Sequence, residues 1–396
     1  MKKRKTITAW LLVICMLVSM TACGAGTEAE KSTSDSPYRV AMITDAGDIT
    51  DQSFNQTTYE ACSAYCSKNN IDFTYKKPDG DTDYARIAMI DVAVAEGYNI
   101  MVMSGYIFAA TLVEVTYKYP DVKFIVLDMT AGDIIAAAVG NQYYENPDAY
   151  EASDYYNTGN TYCAVYREEI PGYMAGYAAV KLGYRNLGFL GGQAVPAVMR
   201  FGFGYLQGID DAAEELGVTD QVSVEFAYGG QFYGSTEITA TMDTWYSKGT
   251  EVVFACGGGI FTSAAEAAAK TGGKMIGVDS DQSPIIDAYG EGMTITSAMK
   301  GLTATIYALL DAIIVLNTWE EHVGKIENLG LVSGEDMELN YVGLPEDTTQ
   351  WNEDFTAEDY HQMVKGIYEG KIEIDNSIDQ IPQVSVHVNE REGTIM

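Results

Sequence analysis

Short β-branched and apolar runs alternate with amphipathic stretches along most of this chain, and the alternation restarts once near its middle. No other feature constrains the fold as tightly. Runs of about five apolar residues need cover on both faces, and intervening helices supply it by crossing over between parallel strands. Strands are expected at Tyr38–Thr44, Ile71–Tyr75, Asn99–Met103 and Lys123–Leu127. The helices between them are expected from a cap at Ser53 to about Lys68, from Thr82 or Asp83 to about Glu96, and over Phe108–Tyr119, which Pro120 closes. Residues 141–160 are tyrosine-rich, polar and aperiodic, and are expected as a surface loop at the cleft rim near a domain crossover. The rhythm then resumes, with predicted strands Leu187–Leu190, Val222–Tyr228, Glu251–Ala255, Lys274–Val278 and Met293–Ala298. Predicted helices accompany them at Met199–Leu216, Ser235–Lys248, Thr262–Thr271 and Leu302–Trp319. The tail from about Leu329 is expected to hold a strand (Met337–Leu344), a helix (Ala357–Glu369) and irregular ends. Two such α/β blocks predict two lobes: 38–165 plus about 295–328, and 166–294 plus about 329–396.

The N-terminus reads differently. Lys2, Lys3, Arg4 and Lys5 precede an apolar stretch, Ile7 to Met20, that is too short for a permanent membrane span. Together they read as a secretory signal over residues 1–22. It ends at Thr21-Ala22-Cys23, small residues before a cysteine, which resembles a bacterial lipobox with Cys23 as the lipidated residue. The small, polar stretch to Pro37 fits a flexible tether over 23–37. The expected location is the extracytoplasmic face of the cell membrane.

Charge narrows the functions. The chain carries 56 acidic against 24 basic residues, and loss of residues 1–22 would leave 20 basic residues and a net charge of −36. Such a surface repels nucleic acid. Past the lipobox the cysteines are Cys62, Cys66, Cys163 and Cys256, with no C-x-x-C, so free thiols are expected. The three histidines show no metal-ligand spacing, and no cofactor is expected.

Ligands of parallel α/β sheets sit beyond the carboxyl ends of the strands, and between two lobes that rule points to the cleft. Several predicted strands end alike, at Asp45, at Asp128, at Asp279, at Cys256-Gly257-Gly258-Gly259 and at Lys300. One Asp in such a place is usually a cap or turn residue. A set recurring at one end of a sheet suits a ligand rich in O–H and N–H donors, because ionised carboxylates only accept. Phe54 at the start of the first helix and Phe232 in the glycine-rich turn 229–234 lie one in each lobe. Two facing rings could sandwich a planar base.

These pieces resemble the basic membrane protein (BMP) family of nucleoside-binding lipoproteins over about residues 38–320. The likeness rests on Thr44-Asp45-x-Gly47 with Asp51-x-Ser53-Phe54-Asn55-Gln56, on Tyr119-Pro120-Asp121-x-x-Phe124 with Asp128, and on Met174-Ala175-Gly176. It continues through Gly191-Gly192, Arg200-Phe201-x-x-Gly204-Tyr205-x-x-Gly208, Ile276–Gln282 and Thr296-Ser297-x-x-Lys300. The resemblance implies a type I periplasmic-binding-protein-like fold, two Rossmann-like lobes joined by three crossovers and hinged over an interlobe cleft. It implies a monomeric receptor for an ABC permease, with a purine nucleoside as the favoured ligand. Phe54 and Phe232 then look like the base-stacking pair and Asp45 like the base-contacting acid. Asp128 looks like a cleft acid near the ribose, Asp279 and Lys300 like ribose-hydroxyl contacts, Gly258 like a backbone contact, and Asn55 like a neighbouring cleft residue. Position 46 departs from the family, with Ala where nucleoside binders carry an Asn that reads the base.

That departure leaves a sugar or another small polar metabolite open as the ligand, and a sensory receptor on the same fold open as the role. An enzyme is not expected. The chain has no G-x-S-x-G, H-E-x-x-H or P-loop, and the spacing Asp79-Gly-Asp81-Thr-Asp83 lacks the later Gly and Glu of a calcium loop.

Overall fold

The computed structural model describes residues 36–45 and 47–396. The signal, Cys23, nearly all of the tether and Ala46 lie outside the described residues.

The first lobe is built on strands β1 (Arg39–Ile43), β2 (Asp72–Lys76), β3 (Ile100–Ser104), β4 (Lys123–Leu127) and β5 (Thr161–Tyr166), joined late in the chain by β11 (Ile326–Leu329). Their order is β11-β5-β4-β3-β1-β2, all parallel. The second lobe holds β6 (Asn186–Gly191), β7 (Ser223–Tyr228), β8 (Val252–Cys256), β9 (Lys274–Asp279), β10 (Thr294–Lys300), β12 (Val342–Gly343) and β13 (His387–Thr394). Their order is β12-β10-β9-β8-β6-β7-β13, and only β12 runs antiparallel. Five strands of each lobe therefore share one plan, β2-β1-β3-β4-β5 against β7-β6-β8-β9-β10, the order of an open doubly wound sheet. The central strands are buried along their length, as sheets covered on both faces must be.

Helices α1 (Phe54–Lys68), α2 (Asp83–Ala95), α3 (Ala109–Lys118) and α4 (Ala131–Val139) follow the strands of the first lobe. Helices α5 (Glu169–Lys181), α6 (Pro196–Leu216), α7 (Thr236–Ser247) and α8 (Phe261–Thr271) follow those of the second. After β10, α9 (Leu302–Ile314) returns to the first lobe, where the Tyr65 hydroxyl of α1 donates to Asp311 at 2.6 Å. Helix α10 (Ala357–Tyr368) closes the second lobe, its Tyr360 hydroxyl accepting from Leu344 N beside β12.

Three of the expectations need correction. Residues 295–328 do not all belong to the first lobe, because β10 pairs with β9 in the second sheet before α9 and β11 cross back. Strand patterning shows that a run is a strand but not which sheet it joins. The expected strand at Met337–Leu344 is a 3-10 turn at Met337–Leu339 and a two-residue strand. The segment 141–160 is a series of short helical turns, and Tyr156 is buried in the first lobe with its hydroxyl donating to Gly324 O. Helices α4 and α5 and strands β5, β11 and β13 were not foreseen. Cys62, Cys66, Cys163 and Cys256 are buried free thiols.

The chain crosses between lobes at 167–168, at Gly301 and at 330–341, and the crossings are bonded to one another. Arg167 N donates to Leu329 O at 2.9 Å, Tyr341 N to Gly330 O at 3.0 Å, and Gly301 N to Tyr341 O at 2.7 Å. Within the second lobe α5 and α6 touch backbone to backbone. A Cβ at Gly172 or Gly176 would lie 2.2 Å from the Phe201 or Tyr205 carbonyl, and one at Gly204 or Gly208 would lie 2.1 or 2.0 Å from the Glu169 or Tyr173 carbonyl. Glycines four apart put the gap on one face of each helix.

Candidate ligand-binding site

The strand ends of both lobes converge between them. Asp128 follows β4 and Asp279 ends β9, equivalent strands of the shared plan. Both residues adopt left-handed backbone, with φ of 54° and 67°. Asp tolerates that region better than most side chains do, and the turn directs each carboxyl off the sheet edge. Lys300, the last residue of β10, lies between them. Its ammonium bonds Asp128 Oδ2 at 2.7 Å, lies 3.1 Å from Glu168 Oε1, and stands 3.9 Å from Asp279 Oδ1. Glu168, in the first crossover, is fully buried and also accepts from Arg200 Nε of α6 at 2.5 Å. The rings of Phe54, Tyr166 and Phe201 surround the ammonium at 5.2, 5.5 and 5.5 Å. Aromatic faces favour a desolvated cation there.

Charge balance follows from this packing. Burial works against the Lys300 ammonium, yet Asp128, Glu168 and Asp279 together push its pKa above the usual lysine value. Burial also works against Glu168, but Lys300 and Arg200 hold its carboxyl below the ordinary range. Burial raises Asp128 to about 6 despite Lys300, and it raises Asp279 as well. Three carboxyls thus share two fixed cations. Asp128 Oδ1, buried, accepts no hydrogen bond among the described residues.

A second group sits on the first lobe. Asp51 bonds the start of α1, accepting from Ser53 N and Gln56 N on one oxygen and from Asn55 N on the other. It takes the capping role expected of Ser53, whose hydroxyl instead donates across the cleft to Asp279 Oδ2 at 2.5 Å. Asn55 Nδ2 donates to both Asp45 and Asp51, at 2.9 and 3.1 Å. Asp45 Oδ1 also accepts from Gly47 N at 2.5 Å, and burial raises the Asp45 carboxyl to about 6. A Cβ at Gly47 would lie 2.6 Å from Asn55 Nδ2 and 2.7 Å from Asp45 Oδ1, so a side chain there would displace this pair. A second direct link between lobes runs from Gln282 Nε2 to Gln52 O at 2.8 Å.

Phe232 and Gly258 belong to the opposite wall. The Phe232 ring rests on Gly192 and Gly257, where a Cβ would lie 2.5 and 2.9 Å from it. Gly258, at φ 53°, backs onto the Phe232 carbonyl. Gly258 therefore lets two loops approach each other closely.

The lobes are drawn together. The recess lined by Tyr106, Asp128, Thr130, Asp133, Pro196, Ala197 and Arg200 has a volume of about 10 Å³, room for about one water. At its rim the Tyr143 hydroxyl lies against Gly132, so the tyrosine-rich segment approaches the cleft at that point. Among the described residues no group of His, Cys, Asp or Glu is arranged to hold a metal ion.

The structure brings Asp128, Asp279, Lys300 and Phe54 together and sets Asp45 with Asn55 beside them. Sequence reasoning missed Glu168, Arg200 and Ser53 as cleft residues. Glu168 follows an apolar strand inside a charged triplet, which reads as a loop. Arg200 sits in a glycine-aromatic stretch whose polar interruption was the available signal.

Comparison with known proteins agrees with this fold. A family model described as ABC transporter substrate-binding protein PnrA-like matches residues 38–377. An ABC transporter nucleoside-binding protein, BmpA, of Lactococcus lactis is 24% identical over 71% of this chain and 75% of its own. An uncharacterized lipoprotein of Pyrococcus furiosus is 24% identical over 91% of this chain and 84% of its own. The crystal structure of an ABC transporter solute-binding protein from Aeropyrum pernix superposes with a TM-score of 0.61 at 21% identity, covering 85% of this chain and 87% of that one. With its two doubly wound lobes meeting over a charged cleft, this chain belongs to the Bmp family of PnrA-like ABC transporter substrate-binding proteins.

Proposed function

We propose that the protein captures a nucleoside between its lobes and delivers it to an ABC permease, anchored outside the cytoplasm by a lipid on Cys23. The observation that carries this reading is the buried Lys300–Asp128–Asp279 cluster beneath the Phe54 ring. Carboxylates accept from vicinal ribose hydroxyls, and the ammonium donates to one of them. A phosphate would meet an excess of negative charge, so the ligand is neutral or cationic. Phe54 and Phe232 would stack on the base, Asp45 and Asn55 would meet its polar edge, and the Gly258 backbone would complete the wall. The nucleoside-binding relative from Lactococcus lactis supports this choice of ligand, and the relatives named lipoproteins support the anchor. The role requires binding and lobe closure, with no turnover.

Calorimetry on the body from about residue 30, refolded to strip any carried ligand, tests the reading against nucleosides, free bases and sugars. Saturable nucleoside binding is expected. Loss of one base-stacking ring in Phe54→Ala should weaken it by about 1–3 kcal/mol, and Asp279→Ala should weaken it further. Binding of a sugar alone, with Phe54→Ala without effect, would replace the nucleoside by a sugar on the same fold.

A further inference from the structure

Strand β13 lies beyond the stretch that the family model matches, which ends at residue 377. It forms the edge of the second sheet and pairs in parallel with β7, from His387 against Ser223 to Thr394 against Tyr228. The register slips between Glu390 and Thr394, where β13 takes two extra residues and Gly393 turns at φ 70°. Past the slip the chain does not leave the lobe. Ile395 N donates to Tyr228 O at 2.9 Å, and Met396 N donates to Gly229 O at 3.2 Å. Gly230, at φ 89°, is so close that a Cβ there would lie 3.2 Å from Thr394 Cβ and 3.5 Å from Met396 Cβ. The Ser235 hydroxyl reaches the Met396 sulfur at 3.2 Å, and Ile395 packs half-buried on the core under α7 and α8.

The segment gripped in this way, 228–235, is the one that carries Phe232. On its other side it is held by β6, with Gly229 N donating to Gly191 O at 2.7 Å and Gly230 N to Gly192 O at 2.9 Å. The turn is rich in glycine and so has little stiffness of its own. Its backbone is clamped between the end of β6 and residues 394–396.

We propose that Thr394–Met396 are positioning residues for the aromatic wall of the cleft, holding the turn that presents Phe232. The consequence for ligand affinity rests on the nucleoside reading above; the positioning itself does not. An edge strand can be removed without opening the core, and backbone donors can be removed one at a time, since proline has none.

The test places 4-fluorophenylalanine at position 232 of the full chain and follows its fluorine resonance without ligand. Deletion of 394–396 should shift or broaden that resonance. Ile395→Pro, which removes the donor to Tyr228 O together with the Ile395 side chain and restricts the backbone at Thr394, should do the same. Ile395→Ala keeps the donor and should leave the resonance near its parent position. Unfolding midpoints identify any variant that has lost its fold, and Ile395→Pro decides the matter if the deletion does. An unchanged resonance in folded Ile395→Pro overturns the proposal. Nucleoside affinity should fall roughly tenfold in the variants that shift the resonance. A parent chain that binds no nucleoside would end the ligand reading, and the resonance would still decide the positioning.

Discussion

Lys300 shows how a single residue can be supported from three parts of a chain. Its partners come from the first lobe (Asp128), the second lobe (Asp279) and the crossover (Glu168). Removing Lys300 would leave three buried carboxyls with Arg200 as their cation, which costs more than an exposed ion pair is worth. Asp45 offers a cleaner titration. Its carboxyl is raised by burial to about 6 in the folded chain, above its ordinary value of 3.8. Between those two pH values the folded state binds more protons than the unfolded one, so this group makes stability fall as pH rises through the window. Asp45→Asn should remove that fall, making urea-denaturation profiles at pH 4, 5, 6 and 7 diverge by up to about 3 kcal/mol. Parallel profiles for the parent and the variant would mean that Asp45 is not desolvated.

At the scale of elements, the α5–α6 contact determines how closely the second lobe can pack. Helix α5 is buried almost all round, as expected of a helix enclosed by its own lobe. The small residues that let it approach α6 are the ones that made the Met174-Ala175-Gly176 and Gly204–Gly208 motifs look specific. Gly208→Ala would bring a methyl to 2.0 Å from the Tyr173 carbonyl, an atom that cannot swing away. Overpacking of this kind should cost about 1–3 kcal/mol or more in chemical denaturation. Gly80→Ala has open space around its Cβ and should stay within about 0.5 kcal/mol of the parent. Equal losses for the two would show that the helices separate freely.

For the whole molecule the question is the balance between open and closed lobes. Among the described residues, three direct side-chain links cross the cleft: Ser53 to Asp279, Gln282 to Gln52 O, and Lys300 to Asp128. In the proposed role the lobes part about the bonded crossovers to admit the ligand and close over it. Each link biases an equilibrium in which a ligand selects the closed state. Ser53→Ala combined with Gln282→Ala should therefore increase the radius of gyration of the ligand-free protein in small-angle scattering, and ligand should restore compactness. An unchanged radius would mean that the crossovers alone set the lobe angle.

The amino-acid sequence by itself determined the two α/β blocks, because strand and helix periods are local and are written in the order of apolar residues. It also determined which side chains stand at strand ends, and so brought Asp45, Asp128, Asp279 and Lys300 into view. It could not decide the sheet that β10 joins, since pairing partners depend on distant strands. It could not distinguish a capping Ser53 from one that reaches Asp279, 226 positions away. Nor could it single out Glu168, whose burial follows from Lys300 and Arg200 arriving from elsewhere in the chain. β13 escaped notice for the opposite reason: an exposed, charged edge strand carries no hydrophobic pattern, and only its backbone bonds to β7 define it. Contacts between residues far apart in sequence, and charges stabilised only by those contacts, were settled by the tertiary structure.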